Sequence, residues 1–245
     1  MEKALFFTEY RRIFEANGLE AYATEPIMET MYAMVEHMLA VNAHTNLTAI
    51  TDWQEILVKH LADSCTVLPY IPEGAKVLDV GCGGGFPSLP MAIARPDLTV
   101  VGLDSTGKKV EYINESASVL GLSNLSAICG RAEDLANGAM REGFDVVTAR
   151  AVASLPVLCE LCIPFARVGG LFCAMKGARA DEEMKDAFGA YQKLGAPLEE
   201  SGAQRFSLVS FDGQGEQRTI FVAKKTAKTP KNYPRPYAQI KKRPL

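Results

Sequence analysis

The stretch Lys76-Val77-Leu78-Asp79-Val80-Gly81-Cys82-Gly83-Gly84-Gly85-Phe86-Pro87 limits the choice of fold more than any other in the chain. An apolar strand runs straight into a Gly-x-Gly-x-Gly turn. Such a turn brings the backbone round tightly with no Cβ in the way, so a nucleotide-like ligand can approach the main chain closely. The spacing departs from the dinucleotide fingerprint Gly-x-Gly-x-x-Gly, because the sixth position counted from Gly81 is Phe86.

The segments after this turn repeat its strand-to-helix rhythm. Strand patterns at 76–80, 98–103, 125–129, 144–148 and 171–175 alternate with helical patterns near 87–94, 107–120, 154–166 and 181–194, with a short helix or loop after the third strand and a turn at Gly169-Gly170. Alternation of this length predicts an α/β fold whose parallel sheet is covered on both faces. Runs at 204–210 and 217–224 are joined only by Phe211 to Glu216, which is too short for a crossover and predicts an antiparallel hairpin.

Three helices precede the sheet. One spans 2–16 and stops at Asn17-Gly18. A second has Thr24 as its cap, Pro26 in its first turn and a stripe of Ile27, Met31, Met34, Val35, Met38 and Leu39. The third opens with the capping-box spacing of Asp52-Trp53-Gln54-Glu55 and carries Lys59, His60 and Asp63 towards Leu68. The expected organisation is an N-terminal helical region at 1–72, a nucleotide-binding α/β domain at 73–225 and a basic flexible tail at 226–245.

Charge sets that tail apart. The whole chain carries −3, yet 224–245 holds eight lysines and arginines and no acid, which leaves −11 on residues 1–223. An acidic body with a basic, proline-interrupted tail is the asymmetry expected of a tail that meets a polyanion. The tail is expected to be disordered or extended when free, since its prolines prevent a packed element. Removal of residues 226–245 is then expected to flatten the salt dependence of polyanion binding and to leave ligand binding at the glycine turn nearly unchanged. No stretch has the length and apolarity of a membrane span, and charged residues interrupt the N-terminus, so a cytoplasmic protein is expected. The six cysteines are scattered, and Cys159-x-x-Cys162 has no second pair and no nearby histidine. They read as reduced core thiols rather than metal ligands.

Five parallel strands followed by a hairpin resemble the class I S-adenosylmethionine methyltransferases, with Val77–Gly85 similar to their first motif. That resemblance implies a Rossmann-like, mostly parallel seven-stranded sheet. Asp104, ending the second strand 23 residues after Gly81, would accept both ribose hydroxyls. Its other reading is a cap for the helix at 107–120. Arg131-Ala132-Glu133-Asp134 follows the third strand, where this fold usually edges the adenine; the acids there read equally as solvated turn charges. Arg150 lies just past the fourth strand, at the sheet edge where ligands bind, or else pairs with Asp145 or Glu133. Lys176, after the fifth strand, is a candidate phosphate contact. His60 and Asp63 share one helical face and can simply pair with each other.

One family resembles the chain throughout: the RsmG-type (glucose-inhibited division protein B) methyltransferases. The segments that carry this are Asn46–Ile50, His60–Ser64, Asp79–Pro87, Asp104–Lys109, Arg150–Ser154, Met175–Gly177 and Lys231–Arg235. The resemblance implies methylation of N7 of a guanine in bacterial 16S rRNA, with S-adenosyl-L-methionine as cofactor and S-adenosyl-L-homocysteine as product. It implies cofactor contacts from Asp79, Gly81, Gly83, Gly85, Phe86, Asp104, Ala132, Glu133 and Arg150. Arg150, Lys176, His60, Asp63, Lys231 and Arg235 are the candidates for substrate RNA. Ser88 stands where the family usually has glycine and Lys109 where it often has arginine. After Arg235 the family's Pro-Gly-Thr-Pro gives way to Pro-Tyr-Ala-Gln.

Guanine N7 already exposes a lone pair, so no catalytic base is expected, and catalysis rests on proximity, orientation and exclusion of water. The competing readings are a small-molecule methyltransferase, which leaves the basic tail without a role, and a noncatalytic ribosome-assembly factor, which predicts a damaged cofactor site. A monomer with no metal and no membrane partner is expected.

Overall fold

A computed structural model describes residues 2–245. Its centre is a seven-stranded sheet of β1 (Lys76–Val80), β2 (Thr99–Asp104), β3 (Leu125–Cys129), β4 (Phe144–Arg150), β5 (Ala166–Lys176), β6 (Ala203–Val209) and β7 (Gly215–Lys224). The order across the sheet is β3-β2-β1-β4-β5-β7-β6, with β1 to β5 parallel and the β6–β7 hairpin antiparallel. The chain therefore reverses its direction of winding between β1 and β4. A crevice opens at the carboxyl ends of the strands at such a switch point.

Helices cover both faces. One face packs against α1 (Lys3–Ala16), α2 (Glu25–Thr45), the third helix, α5 (Ser88–Ala94) and α6 (Gly107–Val119). The third helix is three segments in succession: α3 (Trp53–Ile56), a π-helical stretch Leu57–Ala62, and α4 (Asp63–Cys65). The other face holds α8 (Leu155–Cys162), α9 (Ala180–Lys193) and α10 (Tyr237–Lys242), with the short α7 (Ala132–Leu135) at its edge. Met31, Met34, Val35 and Met38 of the α2 stripe are buried in the same cluster as Val77 and Val100 of the sheet, so the helical region at 1–72 shares the sheet's core.

Local signals act largely as their chemistry dictates. The Asp52 carboxylate accepts from the N–H groups of Gln54 and Glu55, and α2 ends at Asn46 in the left-handed region. Thr24, expected to cap α2, occupies the N-cap position without a side-chain hydrogen bond. Gly169-Gly170 lies inside β5, which starts at Ala166, and is not a turn before it. A Cβ at Gly170 would stand 2.7 Å from the Asp145 carbonyl oxygen, where the β4–β5 register shifts, so glycine admits the close strand approach.

The tail departs from expectation. Residues 226–245 run across the α8–α9 face as a strap. The Arg235 guanidinium donates to both carboxylate oxygens of the fully buried Glu160, and its main-chain N–H adds a third bond. Arg141 donates to the carbonyls of Thr229, Pro230 and Tyr233, Asn137 to that of Pro234, and Ile240 is fully buried. Proline removes donors from this segment, and side chains of the body supply them. Among the described residues no helix is long and apolar enough to cross a membrane.

Candidate functional site

The turn after β1 is held from below and from the side. Asp79 is fully buried beneath it, accepting from the Ser88 hydroxyl at 2.5 Å and from that of Thr148 at 3.4 Å. Burial raises its carboxyl to about 6 against the pull of these bonds. Ser88 thus has a definite task at a position where the resembling family usually has glycine. From the side, Asp104 accepts the Gly83 N–H on one oxygen and the Thr106 N–H on the other. It steadies both the glycine turn and Thr106, which occupies the N-cap position of α6 without a side-chain bond to the helix. Gly81 has φ +75°, and an added Cβ would collide with the side chain of Val152.

Two cavities open along the carboxyl edge of the sheet. The smaller, about 190 Å³, lies beside the turn and is lined by Gly81, Asp104, Ala132, Glu133, Arg131 and Tyr237, among others. The glycine turn, the fixed carboxylate at the end of β2 and the α7 edge fit a nucleoside-bearing cofactor. Asp104 would take the ribose hydroxyls, and Ala132 and Glu133 the base. The larger cavity, about 840 Å³, is rich in cations, with Lys59, Arg150, Lys176, Arg179 and Arg218 in its walls beside His60, Asp63 and Glu183. Val152 lines both and divides them.

The π-helical stretch organises the larger cavity. Asp63 bonds its N–H to the Val58 carbonyl, five residues back. The Lys59 carbonyl meanwhile accepts from Arg150 Nη1 at 2.8 Å and lies 3.2 Å from His60 Nδ1. Widened turns of this kind recur at functional sites because they re-aim such groups. Arg150 also reaches Asp63 at 2.8 Å, and the other oxygen of Asp63 accepts from Arg218 at 2.9 Å, so one carboxylate bridges two arginines. The His60 ring stacks on Phe86 with centroids 4.2 Å apart. Its Nε2 lies 2.8 Å from the Thr48 hydroxyl, whose oxygen already accepts from the Ile50 N–H. That leaves the hydroxyl proton for Nε2 and makes the neutral Nδ1–H tautomer the consistent one. Burial, with the Arg150 cation second, lowers the imidazole to about 4. Lys176 is held by the Ala153 carbonyl and by Glu183.

Gly81, Asp104, Ala132 and Glu133 come together at the smaller cavity, and His60, Asp63, Arg150 and Lys176 at the larger. Asp79, Gly83, Gly85 and Phe86 shape the turn and line neither cavity. Lys231 is exposed on the strap, and Arg235 is consumed by Glu160, which ties it to the fold. Arg150 pairs with Asp63, not with Asp145 or Glu133. His60 and Asp63 take separate partners and not each other. Arg218 goes unmarked in the sequence, and Thr48 enters only within the family-like segment Asn46–Ile50, with no role of its own. The period of two along β7 places Arg218 on the face of Ile220, which lines the same cavity; Thr48 carries no local signal.

Residues 27–203 match the family model described as rRNA small subunit methyltransferase G. Proteins named ribosomal RNA small subunit methyltransferase G are similar over most of the chain. That of Lactobacillus delbrueckii subsp. bulgaricus is 43% identical over 91% of this chain and 94% of its own. That of Leuconostoc citreum is 41% identical over 91% and 92%. Among solved structures, the O-methyltransferase from Bacillus cereus in complex with SAH superposes with a TM-score of 0.52 at 18% identity, covering 78% of this chain and 91% of that one. A SAM-dependent methyltransferase from Aquifex aeolicus gives 0.52 at 16% identity, over 73% and 97%. At these identities the structural likeness speaks to the fold, which is that of the class I methyltransferases.

Proposed function

The chain belongs to the small-subunit rRNA methyltransferase G family, and we propose that it transfers a methyl group to N7 of one guanosine in 16S rRNA. Its cofactor is S-adenosyl-L-methionine, which when bound supplies a sulfonium methyl and leaves as S-adenosyl-L-homocysteine. The observation that carries this reading is the pair of cavities meeting at Val152 beside Gly81, a nucleoside-sized groove on one side and a cation-rich acceptor cavity on the other.

The chain's own groups suit an acceptor that needs no deprotonation. Asp79, the carboxyl raised towards neutrality, is sealed under the turn by Ser88 and Thr148 and faces neither cavity. His60 has both ring nitrogens engaged and stays neutral, so it adds no positive charge where a lone pair must attack. Its ring lines the cavity and is backed by Phe86, which gives a flat wall suited to positioning a base. Arg150, fixed by Lys59 and Asp63, stands at the acceptor edge, where a guanidinium can meet a phosphate or guanine O6. Lys176 and Arg218 extend the same cationic wall. Orientation and exclusion of water then account for the rate. The enzyme works as a cytoplasmic monomer, with Lys231 and its exposed neighbours on the strap adding sequence-independent RNA affinity.

The test is labelled methyl transfer to small ribosomal subunits and to naked 16S rRNA from cells lacking the activity, followed by mapping. A single modified guanine that cleaves under the chemistry specific to 7-methylguanosine is expected. Label in small metabolites but not in RNA would reject the proposal.

A further inference from the structure

The smaller cavity contains one aromatic side chain, and it comes from the strap. Tyr237, the first residue of α10, lines this cavity together with Asp104, Gly130, Ala132 and Glu133; its remaining side-chain walls are aliphatic or charged, with the one hydroxyl of Ser105. The residue is 36% exposed, and the Arg131 guanidinium lies 6.0 Å from the ring centroid. The strap holds it there firmly. Arg235, two residues before Tyr237, is bound to the buried Glu160 of α8, and Ile240, three residues after it, is fully buried. Leu161 of α8 is buried and lines the cavity with Tyr237. The family match ends at residue 203, so nothing in it speaks for this segment. The Pro-Tyr-Ala-Gln that contains Tyr237 is also where the tail leaves the resembling family's pattern.

We propose that the C-terminal strap is part of the cofactor site and that Tyr237 provides the aromatic face against which the purine of the cofactor lies. The proposal rests on the S-adenosylmethionine reading of the smaller cavity. A purine is flat and apolar on both faces, and an aromatic ring is the side chain that matches it best. Val80 and Leu103 line the same cavity as apolar groups, leaving Tyr237 as the ring. The tail thereby acquires a second role beside its cations. Its removal should weaken cofactor binding, contrary to the expectation formed when the tail reads as free and flexible.

Calorimetric titration of the full chain with S-adenosyl-L-homocysteine tests this directly. Tyr237→Ala should weaken binding about tenfold, and Tyr237→Phe should stay within about twofold of the unaltered chain, because stacking needs the ring and not the hydroxyl. Tyr237→Trp should keep the affinity, and emission from its added indole should be quenched at saturation, beyond any change from Trp53 in the unaltered chain. That readout would not move if the strap were only a structural brace. Unchanged affinity in Tyr237→Ala, or unquenched indole in Tyr237→Trp, would overturn the proposal. Absence of binding by the unaltered chain would instead overturn the cofactor reading on which it rests.

Discussion

Protonation of His60 in the folded protein must place a cation on a buried ring beside Arg150, and the sign of its effect on stability follows from that. The imidazole is lowered from 6.5 to about 4, so its contribution is fully present above about pH 6.5 and is lost as pH falls through about 4. Between about pH 7.5 and about pH 5 the unfolded chain takes up this proton and the folded chain does not, which costs about 2 kcal/mol. Asp79 acts in the opposite sense. Its carboxyl is raised from 3.8 to about 6, so its ionisation weighs on the fold at neutral pH, and relief of that burden on acidification returns about 1 kcal/mol over the same interval. The second offsets about half of the first in the unaltered chain, whose own stability profile therefore understates the histidine. The informative quantity is the difference from His60→Gln, which keeps a hydrogen-bonding group near Thr48 but does not titrate. Denaturant unfolding at the two pH values should show the unaltered chain losing about 2 kcal/mol relative to the variant. Ring-proton titration by NMR should show no midpoint for His60 above about pH 5. Equal pH slopes for the two proteins, or a midpoint near 6.5, would refute the neutral, stacked histidine.

Gly81→Ala should abolish binding of S-adenosyl-L-homocysteine by calorimetry, because the new Cβ enters the space of Val152. Gly83→Ala, with no atom nearer than 3.8 Å, should cost only the left-handed strain of about 1 kcal/mol in thermal unfolding. Arg235→Ala leaves the buried Glu160 with only a main-chain donor. It should cost about 3 kcal/mol and expose the strap to limited proteolysis; a strap as resistant as before would contradict the anchoring role. Deleting 226–245 should lower the slope of log K for RNA against log salt by no more than about 3.5, since five of the six cations removed are exposed and Arg235 is paired. An unchanged slope would remove the tail from RNA binding. Arg150→Ala should lower methyl transfer about 100-fold by loosening the acceptor edge while cofactor affinity changes far less; an unaltered rate would show that Arg150 serves only the fold.

What could be read from the sequence was local or periodic. The glycine turn announces itself in a dozen adjacent residues, and the alternation of strand and helix patterns implies the parallel sheet before any contact is known. The hairpin follows from a link too short for any crossover. The strap was misread because its own composition, prolines among lysines, describes only what it cannot do alone. Its partners Glu160, Asn137 and Arg141 lie 75 to 97 residues away, and a glutamate within the apolar run of α8 is the one faint sign that a buried cation must come to it. The same distance hid the partner of Arg150. Asp145 and Glu133 are nearer in sequence, but the π-helical turn in the third helix delivers Lys59 and Asp63 to the end of β4, and no residue pattern marks that turn. Ser88, a departure from the resembling family, became intelligible only once its hydroxyl was found on the buried Asp79.

Methyl transfer to guanine N7 without a base can be followed by single-turnover transfer from S-adenosyl-L-methionine to 16S rRNA or the small subunit across about pH 6 to 9, with the product nucleotide identified. One 7-methylguanosine, formed at a rate that does not rise with an ionisation in that range, is the expected result. Modification of another atom, or a rate that climbs tenfold per pH unit as a base deprotonates, would contradict it.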